Sequence, residues 1–243
     1  MIGRARSWLY VPGHRPDLLA KAMAGAADAV VYDLEDAVPV NAKHTARRNA
    51  LDAARTAHPK PLWVRINHPG SPAGAEDIEA LAGTHVQGIR VPKCSDPAQV
   101  AALAGRLGLR LHVLVESALG VENAFALARC HPLVSAVSLG EADLIADLRA
   151  GDPAALDWAR QRVIIANRAA GLPSPPHAVW TNVADITGLI ADTECARDRG
   201  FFGRSVLHPS QLEPVNRAFT PNHEEVLAAR RLLTSVDSQA AQG

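Results

Sequence analysis

The sequence predicts an α/β protein and, within that class, a closed TIM (β/α)8 barrel. Eight short apolar runs alternate with alanine-rich segments of helical periodicity, the pattern of parallel strands joined by crossover helices. The chain has 243 residues, close to the roughly 250 of one such barrel. It is 48% hydrophobic but only 4% aromatic, so we expect a core of Ala, Val, Leu and Ile, as in buried parallel strands.

The predicted strands are the β-branched or aliphatic runs along the chain. In order they are SWLYVP near residue 10, DAVVYDLE near 31, LWVRIN near 64, QGIRVPK near 90, RLHVLVE near 113, VSAVSLG near 137, HAVW near 179 and RSVLHP near 206. Most successive runs lie about 21 to 33 residues apart, the length of one strand-helix unit. Right-handed crossovers between parallel strands then bring each run beside the previous one.

Helices are predicted between these runs at residues 16–24, 42–57, 97–107, 121–128 and 184–199. The gap between VSAVSLG and HAVW is longer and holds a further helix near residues 158–170. We interpret it as an insertion, because no Pro, Gly or Ser-rich linker divides the chain. We expect one domain over residues 1–243, with residues 221–243 as a C-terminal helix and tail. An open doubly wound sheet is the alternative, but no GxGxxG or GxxxxGK motif follows the first strand.

The charge balance and the cysteine content limit the possible binding partners and the cellular compartment of the protein. The chain has 25 basic and 25 acidic residues, so no overall field attracts nucleic acid or an anionic membrane. Cys94, Cys130 and Cys195 form no CxxC or Cys/His metal pattern, which favours reduced, inert thiols. The start of the chain has no apolar signal core, and no run approaches the roughly 18 apolar residues of a membrane span. We therefore expect a cytoplasmic protein with no nucleic-acid or membrane partner.

Two carboxylates follow neighbouring strands, at the edge where an α/β barrel places its active site. Glu116 ends the fifth run and Asp143 follows the sixth. Mg²⁺ takes oxygen ligands, commonly one or two carboxylates together with waters and substrate oxygens. We therefore predict that Glu116 and Asp143 bind Mg²⁺. For Glu116 alone, the alternative is a residue that stabilises the N-terminus of the next helix.

A cation and an acidic group complete the predicted site. Arg65 lies within WVRIN, a run otherwise apolar enough to be buried, so its guanidinium needs an anionic partner. That partner is either a substrate carboxylate or, in a structural ion pair, Asp33 or Glu35. Glu35 and Asp36 follow the second strand, and either is a candidate catalytic base or orienting acid. Helix capping or pairing with Arg65 is the alternative role for each acid.

Cations and histidines near the first and last strands are weaker candidates. Arg6 and Arg15 flank the first strand and are candidates to hold a substrate phosphate or carboxylate, with a surface cation as the alternative. His14 is ambiguous between ligand contact and a turn. For His208, which precedes a proline, a turn residue hydrogen-bonded to the backbone is the favoured interpretation.

Ordered motifs carry a family resemblance from about residue 6 to residue 229. They are RSWLYVPG, DLEDAV followed by Lys43 and Ala46-Arg47, VRIN, VPK, ESxxG at 116–120, GxxDL at 140–144 and LHPSQ at 207–211. Together they resemble the citrate lyase β-subunit-like proteins of the HpcH/HpaI aldolase superfamily. The resemblance implies a trimeric or hexameric TIM barrel whose Mg²⁺ is held by Glu116 and Asp143. It also implies that Arg65 contacts the substrate and that a 3-hydroxyacyl-CoA thioester undergoes reversible carbon-carbon cleavage.

The sequence departs from that family in two places. The usual GxED motif has Ala142 in place of its Glu, with Glu141 one residue earlier. A GxMVDxP segment, linked in some relatives to thioester hydrolysis, does not follow the last helix. The resemblance therefore favours lyase chemistry, with (3S)-citramalyl-CoA as the leading substrate and citryl-CoA, malyl-CoA or 3-hydroxy-3-methylglutaryl-CoA as alternatives. A CoA-independent pyruvate aldolase and a non-catalytic subunit that binds acyl thioesters are the other candidates.

Overall fold

Seven parallel strands form one curled sheet in the order β6-β5-β4-β3-β2-β1-β7. The computed structural model describes the backbone of residues 4–240 and the side chains of residues 4–234. The strands are β1 (Ser7–Pro12), β2 (Ala29–Asp33), β3 (Leu62–Arg65), β4 (Gly88–Val91), β5 (Leu111–Val115), β6 (Val134–Leu139) and β7 (Arg204–Val206). The predicted α/β class is confirmed.

Helices connect successive strands and pack on the outer face of the sheet. They are α1 (Pro16–Ala24), α2 (Lys43–Ala54), α3 (Pro72–Leu81), α4 (Pro97–Leu107), α5 (Ala118–Glu122), α6 (Ala124–Arg129), α7 (Glu141–Asp147), α8 (Asp157–Ala169), α9 (Ile186–Asp198), α10 (Leu212–Ala218) and α11 (His223–Ala240). The core between sheet and helices is almost entirely aliphatic, as the composition predicted. No helix in the described part of the chain is long and apolar enough to cross a membrane.

The predicted helices are largely confirmed, with some shifted boundaries. Helices α1 and α4 have the predicted bounds, α8 is the insertion helix, and α2 and α9 are a few residues shorter than expected. The segment 121–128 forms two short helices, α5 and α6, with a break at Asn123. Helix α11 corresponds to the predicted C-terminal helix, and residues 241–243 of the predicted tail lie outside the described residues.

The seventh predicted strand, HAVW, does not form a ladder in the described structure. His177 makes a single parallel bridge with Arg204 of β7. On the other side, the Ser138 hydroxyl of β6 donates to the Pro176 carbonyl over 3.2 Å. Pro175 and Pro176 precede the run, and because proline has no backbone N–H they cannot donate to a β6 ladder. The described residues therefore show a seven-stranded curled parallel sheet, to which the HAVW run adds only an isolated bridge.

The residues inside the curled sheet are apolar at the amino ends of the strands and polar at the carboxyl ends. At the amino ends of the strands, Trp8 and Trp63 pack edge to face with ring centroids 5.6 Å apart. Ala29 and Ala136 are fully buried in the same cluster, and Gly88 leaves the space that the Trp63 ring fills. The large rings thus fit inside a sheet of small radius because small residues face them. Toward the carboxyl ends, the interior becomes polar.

We expect Gly88→Ala to destabilise the fold. A methyl group at this position would overlap the six-membered ring of Trp63 and lie 2.6 Å from the Arg110 carbonyl oxygen. Overpacking of this kind costs about 1–3 kcal/mol. Chemical denaturation measures the change, and the matched control is Gly105→Ala. That position lies on the exposed side of α4 with open space around it, so the control should be stabilising by up to about 1 kcal/mol. Equal stabilities for the two variants would contradict the packing argument.

Candidate active site

A cavity of about 400 Å³ opens at the carboxyl ends of the strands. Polar residues from several strand ends and the following loops line it: Tyr10, Asp33, Asp36, Arg65, Arg90, Glu116, Ser138, Glu141, Asp143, His177, Thr181 and Ser205. Parallel strands bring their carboxyl ends to one edge, so residues distant in sequence meet there. The cavity contains four of the predicted site residues, namely Asp36, Arg65, Glu116 and Asp143.

Arg65 and Asp33 form a buried bidentate ion pair between the ends of β3 and β2. Arg65 Nε and Nη2 donate to the two Asp33 oxygens over 2.6 and 2.7 Å, and Asp33 is fully buried. The guanidinium also lies over the Tyr10 ring, 4.9 Å from its centroid. The structural ion pair anticipated for Arg65 is thus present. The same side chain lines the cavity, so the ion pair holds it in place without removing it from the site.

The loop after β2 separates Glu35 and Asp36 into two environments. Asp33 accepts hydrogen bonds from the backbone N–H groups of Glu35 and Ala37, each over 3.0 Å, which folds the loop over the carboxylate. Glu35 is buried behind the cavity wall, whereas Asp36 is exposed and lines the cavity. Arg65 Nη1 lies 3.2 Å from a carboxylate oxygen of each. Only Asp36 therefore has direct access to a bound substrate.

Lys93, the lysine of the VPK motif, lies between the acidic residues, a position to which no prediction assigned a role. Its backbone N–H donates to Glu116 Oε2 over 3.1 Å. Its Nζ lies 3.4 Å from Glu35 Oε1 and 3.7 Å from Asp143 Oδ2. Lys93 has φ of 57°, a left-handed conformation that is uncommon outside glycine and that occurs mostly where surrounding structure enforces it. One residue thus contacts three carboxylates from three segments: Glu35 after β2, Glu116 after β5 and Asp143 in α7.

Burial of the carboxylates shifts their titration toward neutral pH. Burial first, then the charges of Glu35 and Asp143, raises the pKa of Glu116 to about 8. Burial also raises the pKa of Glu35 to about 7, although the opposite charge of Arg65 lowers it. Both shifts arise mainly from burial, and the neighbouring carboxylates add a smaller contribution.

The donor set fits magnesium. Glu116 and Asp143 supply carboxylate oxygens to the same cavity, and Gly140 has no side chain that would collide with Glu116. Among the described residues no cluster of three or more His, Cys, Asp or Glu forms a complete metal site. A two-carboxylate site leaves the remaining positions of an octahedral ion to water and substrate, as is usual for Mg²⁺. The helix-terminal alternative for Glu116 fails, because Ser117 Oγ caps α5 instead.

Glu141, the acid displaced by one residue in the GxxD motif, has a partner of its own. Arg160 of α8 holds both of its oxygens, over 2.8 and 2.7 Å. His177 Nε2 lies 3.6 Å away on the other side. Because Arg160 neutralises it, Glu141 does not act as a free third carboxylate beside Glu116 and Asp143.

Two predicted substrate-binding arginines are not in the cavity. Arg6 precedes β1, so it lies at the amino end of the sheet, where it pairs with Asp28 over 2.8 Å and donates to Thr220. It therefore lies outside the cavity, which the carboxyl ends of the strands line, and its predicted contact with substrate has no support in the described structure. Arg15 follows β1 at the correct edge, but its guanidinium is exposed and paired with Asp17 over 2.7 Å. His208 is a turn residue, as favoured: its Nδ1 accepts from the Ser210 N–H.

Sequence reasoning missed a second buried arginine at the cavity floor. Arg90 of β4 is almost fully buried, and its Nε donates to His112 Nδ1 over 3.2 Å. Both residues interrupt apolar runs, QGIRVPK and RLHVLVE, in the way that Arg65 interrupts WVRIN. The signal that singled out Arg65 was therefore also present at Arg90.

A parallel α/β sheet whose carboxyl edge holds a cavity rich in carboxylates is the architecture of a barrel-type enzyme. The family model for HpcH/HpaI aldolase/citrate lyase matches residues 6–209, which is most of the chain. The chain therefore belongs to the HpcH/HpaI aldolase/citrate lyase family of enzymes, and the resemblance seen in the motifs is confirmed.

Similar proteins act on thioesters and bind magnesium. A (3S)-malyl-CoA thioesterase of Cereibacter sphaeroides is 35% identical over 245 residues, covering 98% of this chain and 85% of the relative. A citrate lyase subunit beta-like protein of Mycobacterium tuberculosis is 38% identical over 240 residues, covering 96% and 85%. The crystal structure of CitE from the same species in complex with magnesium, acetoacetate and coenzyme A has a TM-score of 0.82 at 35% identity, covering 96% of this chain and 87% of that one. These findings agree with the predicted magnesium cofactor.

We expect the metal-free protein to lose stability as the pH rises, and Glu116→Gln to weaken this loss. A carboxyl whose folded pKa is raised from 4.5 to about 8 stabilises the folded state while protonated. That contribution is present below about pH 4.5 and disappears as the pH rises through 8. Without metal, the free energy of unfolding should fall between pH 5 and 8.5, and the variant should remove of the order of 2 kcal/mol of that fall. Urea denaturation at both pH values measures the change.

The matched control for this experiment is Glu122→Gln, an exposed carboxylate on α5. It should leave the pH dependence as in the wild type. Added magnesium at pH 8 should raise the melting temperature of the wild type but not of Glu116→Gln. An identical pH dependence of the unfolding free energy in wild type and Glu116→Gln would show that the pKa of Glu116 is not raised in the folded protein.

Proposed function

We propose that the chain is a magnesium-dependent lyase that cleaves the carbon-carbon bond of a 3-hydroxyacyl-CoA thioester. The observation that carries the proposal is the meeting of Glu116, Asp143 and Arg65 in one cavity, with Lys93 between the acids. The names of the relatives support a CoA thioester, and the complex with magnesium, acetoacetate and coenzyme A supports the metal. The resemblance suggests (3S)-citramalyl-CoA, giving pyruvate and acetyl-CoA, with citryl-CoA and malyl-CoA as alternatives.

The proposal includes the architecture around the site. We propose that residues 1–243 form one domain with a closed (β/α)8 arrangement, in which segment 176–180 occupies the strand position between β6 and β7. The bridge from His177 to Arg204 and the bond from Ser138 to the Pro176 carbonyl support it, because they connect this segment to both edges of the sheet. A trimer or hexamer follows from the family resemblance and is part of the same proposal.

Arg65 orients the substrate. Asp33 accepts from its Nε and Nη2, whereas Nη1, which lies 3.2 Å from Glu35 and from Asp36, and the second N–H of Nη2 make no hydrogen bond in the described structure. These donors can hold the carboxylate attached to C3 of the substrate in a fixed plane. The chemistry that magnesium supplies when bound by Glu116 and Asp143 is Lewis-acid polarisation of the substrate hydroxyl and carboxylate oxygens, which lowers the hydroxyl pKa.

Asp36 takes the hydroxyl proton. A general base must reach its proton within hydrogen-bond distance, and of the two acids after β2 only Asp36 lines the cavity. As the O–H bond breaks, its electron pair forms the carbonyl of the 2-oxo acid. The pair of the C2–C3 bond moves to C2, giving the enolate of acetyl-CoA, which is then protonated at C2. Glu35 keeps Arg65 and Lys93 in position from behind the wall.

Hydrolysis of the thioester is a second candidate. The relative named (3S)-malyl-CoA thioesterase favours it, because it is 35% identical across nearly the whole chain. The two activities release different products: a lyase releases an acyl-CoA and a 2-oxo acid, whereas a thioesterase releases free CoA and a hydroxy acid.

The direct test is to incubate the protein with Mg²⁺ and citramalyl-, citryl-, malyl- and 3-hydroxy-3-methylglutaryl-CoA. We expect magnesium-dependent release of a 2-oxo acid, measured together with free thiol. Asp143→Asn should lower turnover at least about a hundredfold, because it removes a metal carboxylate. Asp147→Asn is the matched control on the same helix: it makes the same charge change, and its amide oxygen can still accept from the Ala118 N–H. Its turnover should stay close to that of the wild type.

Other outcomes of this test identify the rival activities. Free thiol with a hydroxy acid would establish the thioesterase. Turnover of 4-hydroxy-2-oxo acids without any acyl-CoA cleavage would favour the CoA-independent aldolase. Binding of acyl-CoA without turnover would favour a non-catalytic subunit. Normal turnover by Asp143→Asn would reject the metal assignment.

Asp36→Asn and Glu35→Gln should differ in their effect. Loss of a general base lowers kcat by about 10²- to 10⁴-fold, so Asp36→Asn should fall in this range at every pH. Glu35→Gln should have a smaller effect, because a neutral amide can still contact Arg65 and Lys93. Steady-state kinetics from pH 6 to 9 measures both. A larger loss for Glu35→Gln than for Asp36→Asn would exchange the two roles.

A further inference from the structure

The floor of the cavity carries a positive charge with no carboxylate in contact. Arg90 is 1% exposed, and its hydrogen-bond partners in the described structure are all neutral. Nε donates to His112 Nδ1 over 3.2 Å, and Nη1 donates to Tyr10 Oη over 2.8 Å and to Ser205 Oγ over 3.0 Å. Arg65, one strand away, instead has three carboxylates around it. Burial of a cation without a neighbouring anion costs desolvation free energy, so the presence of Arg90 at this position requires an explanation.

The direction of the hydrogen bonds around Arg90 is fixed. Because guanidinium Nε can only donate, His112 Nδ1 must accept, which places the ring proton on Nε2. Nε2 then donates to Ser138 Oγ over 2.8 Å, and that hydroxyl donates to the Pro176 carbonyl. Burial and the charge of Arg90 lower the pKa of His112, which agrees with a neutral ring. This chain ends at a backbone carbonyl and offers Arg90 no negative charge.

Three donor groups at the cavity floor are left without an acceptor. Tyr10 Oη and Ser205 Oγ each accept from Arg90 Nη1, so their own O–H protons remain available. Arg90 Nη2 makes no hydrogen bond within the described residues. All three residues line the cavity. A group of donors around an unneutralised cation is complementary to an anion that accepts several hydrogen bonds, and a carboxylate is such an anion.

We infer that Arg90, Tyr10 and Ser205 form a subsite that binds a second carboxylate of the substrate's acyl group. The inference rests on the proposed function for the position of the first carboxylate, near Arg65 and the metal-binding acids. The acids Glu116 and Asp143 at the rim of the cavity would then bind the metal cation. Arg90 at the floor would bind the second carboxylate. A substrate with a carboxymethyl group on C3 satisfies both ends, whereas a methyl group leaves the floor donors unpaired. Of the candidates named above, the subsite therefore favours citryl-CoA, which has a carboxymethyl group on C3, over (3S)-citramalyl-CoA, which has a methyl group, and cleavage gives a dicarboxylic 2-oxo acid.

Binding of two small 2-hydroxy acids to the magnesium-loaded protein tests this inference. L-Malate and L-lactate share the chelating hydroxy-acid group and differ by a carboxymethyl in place of a methyl. Isothermal titration calorimetry should show malate binding at least about tenfold more tightly than lactate, the effect of one charge-assisted hydrogen bond. Arg90→Met should lower malate affinity by at least about tenfold and change lactate affinity by less than about threefold. Methionine fills a similar volume, and removal of an unpaired buried charge need not destabilise the fold.

Two milder variants and a control complete the design. Tyr10→Phe and Ser205→Ala each remove one hydroxyl donor while leaving Arg90 in place, and each should weaken malate binding by about three- to tenfold. They carry the test if Arg90→Met does not fold. Arg106→Met, an exposed arginine on α4, should leave both affinities unchanged. An unchanged preference for malate in folded Arg90→Met, or in both hydroxyl variants, would overturn the inference.

The failure of this inference can be told apart from the failure of the proposed function. Wild-type protein that cleaves an acyl-CoA but binds malate no better than lactate would overturn only the subsite. Wild-type protein that cleaves no acyl-CoA, yet loses its malate preference on Arg90→Met, would overturn only the lyase and support the subsite.

Discussion

The ion pair between Asp33 and Arg65 is the interaction on which the rest of the site depends. It joins the ends of β2 and β3 through two short hydrogen bonds with Asp33 fully buried. Removal of one partner from such a pair leaves a buried charge and typically costs about 3–5 kcal/mol. Asp33 also accepts from the backbone of the following loop, so it fixes where Glu35 and Asp36 point. The same carboxylate therefore positions both the Arg65 guanidinium and two acids.

The polar interior is compatible with a stable fold because it is confined to the carboxyl end of the curled sheet. Below it, Trp8 and Trp63 fill the amino end with apolar surface. Between the two regions, Arg90 lies over the Trp8 ring at 5.2 Å and forms the hydrogen bonds that continue through His112. Aromatic rings can contact a cation on their faces while packing against apolar groups at their edges. The transition from apolar to charged layers thus occurs within a few residues along each strand.

The sequence predicted what depends on local pattern and on strand polarity. Acids that follow a parallel strand had to lie at one edge, and Glu116, Asp143 and Asp36 do share a cavity there. Arg6 precedes β1 and so lies at the amino end of the sheet, outside the cavity, a distinction that a prediction from proximity to a strand does not make.

Other features depend on three-dimensional packing and leave little or no local signal. The left-handed backbone of Lys93 brings its main chain to Glu116 and its ammonium to two other carboxylates, which no spacing rule predicts. The HAVW run forms no ladder among the described residues for a reason visible in the sequence, since Pro175 and Pro176 lack the N–H groups that a ladder requires.

The displaced acid of the GxxD motif explains why a divalent cation remains the best fit to this edge. A shift of one residue on a helix turns a side chain by about 100°, enough to direct Glu141 to Arg160 instead of toward Glu116 and Asp143. Lys93 contacts Glu35, Glu116 and Asp143, and Arg65 also contacts Glu35. Burial is the largest cause of the raised pKa values of Glu35 and Glu116, and neighbouring carboxylates add to both shifts. A bound cation would favour the ionised form of these acids, so protons and a metal ion compete for this edge of the sheet.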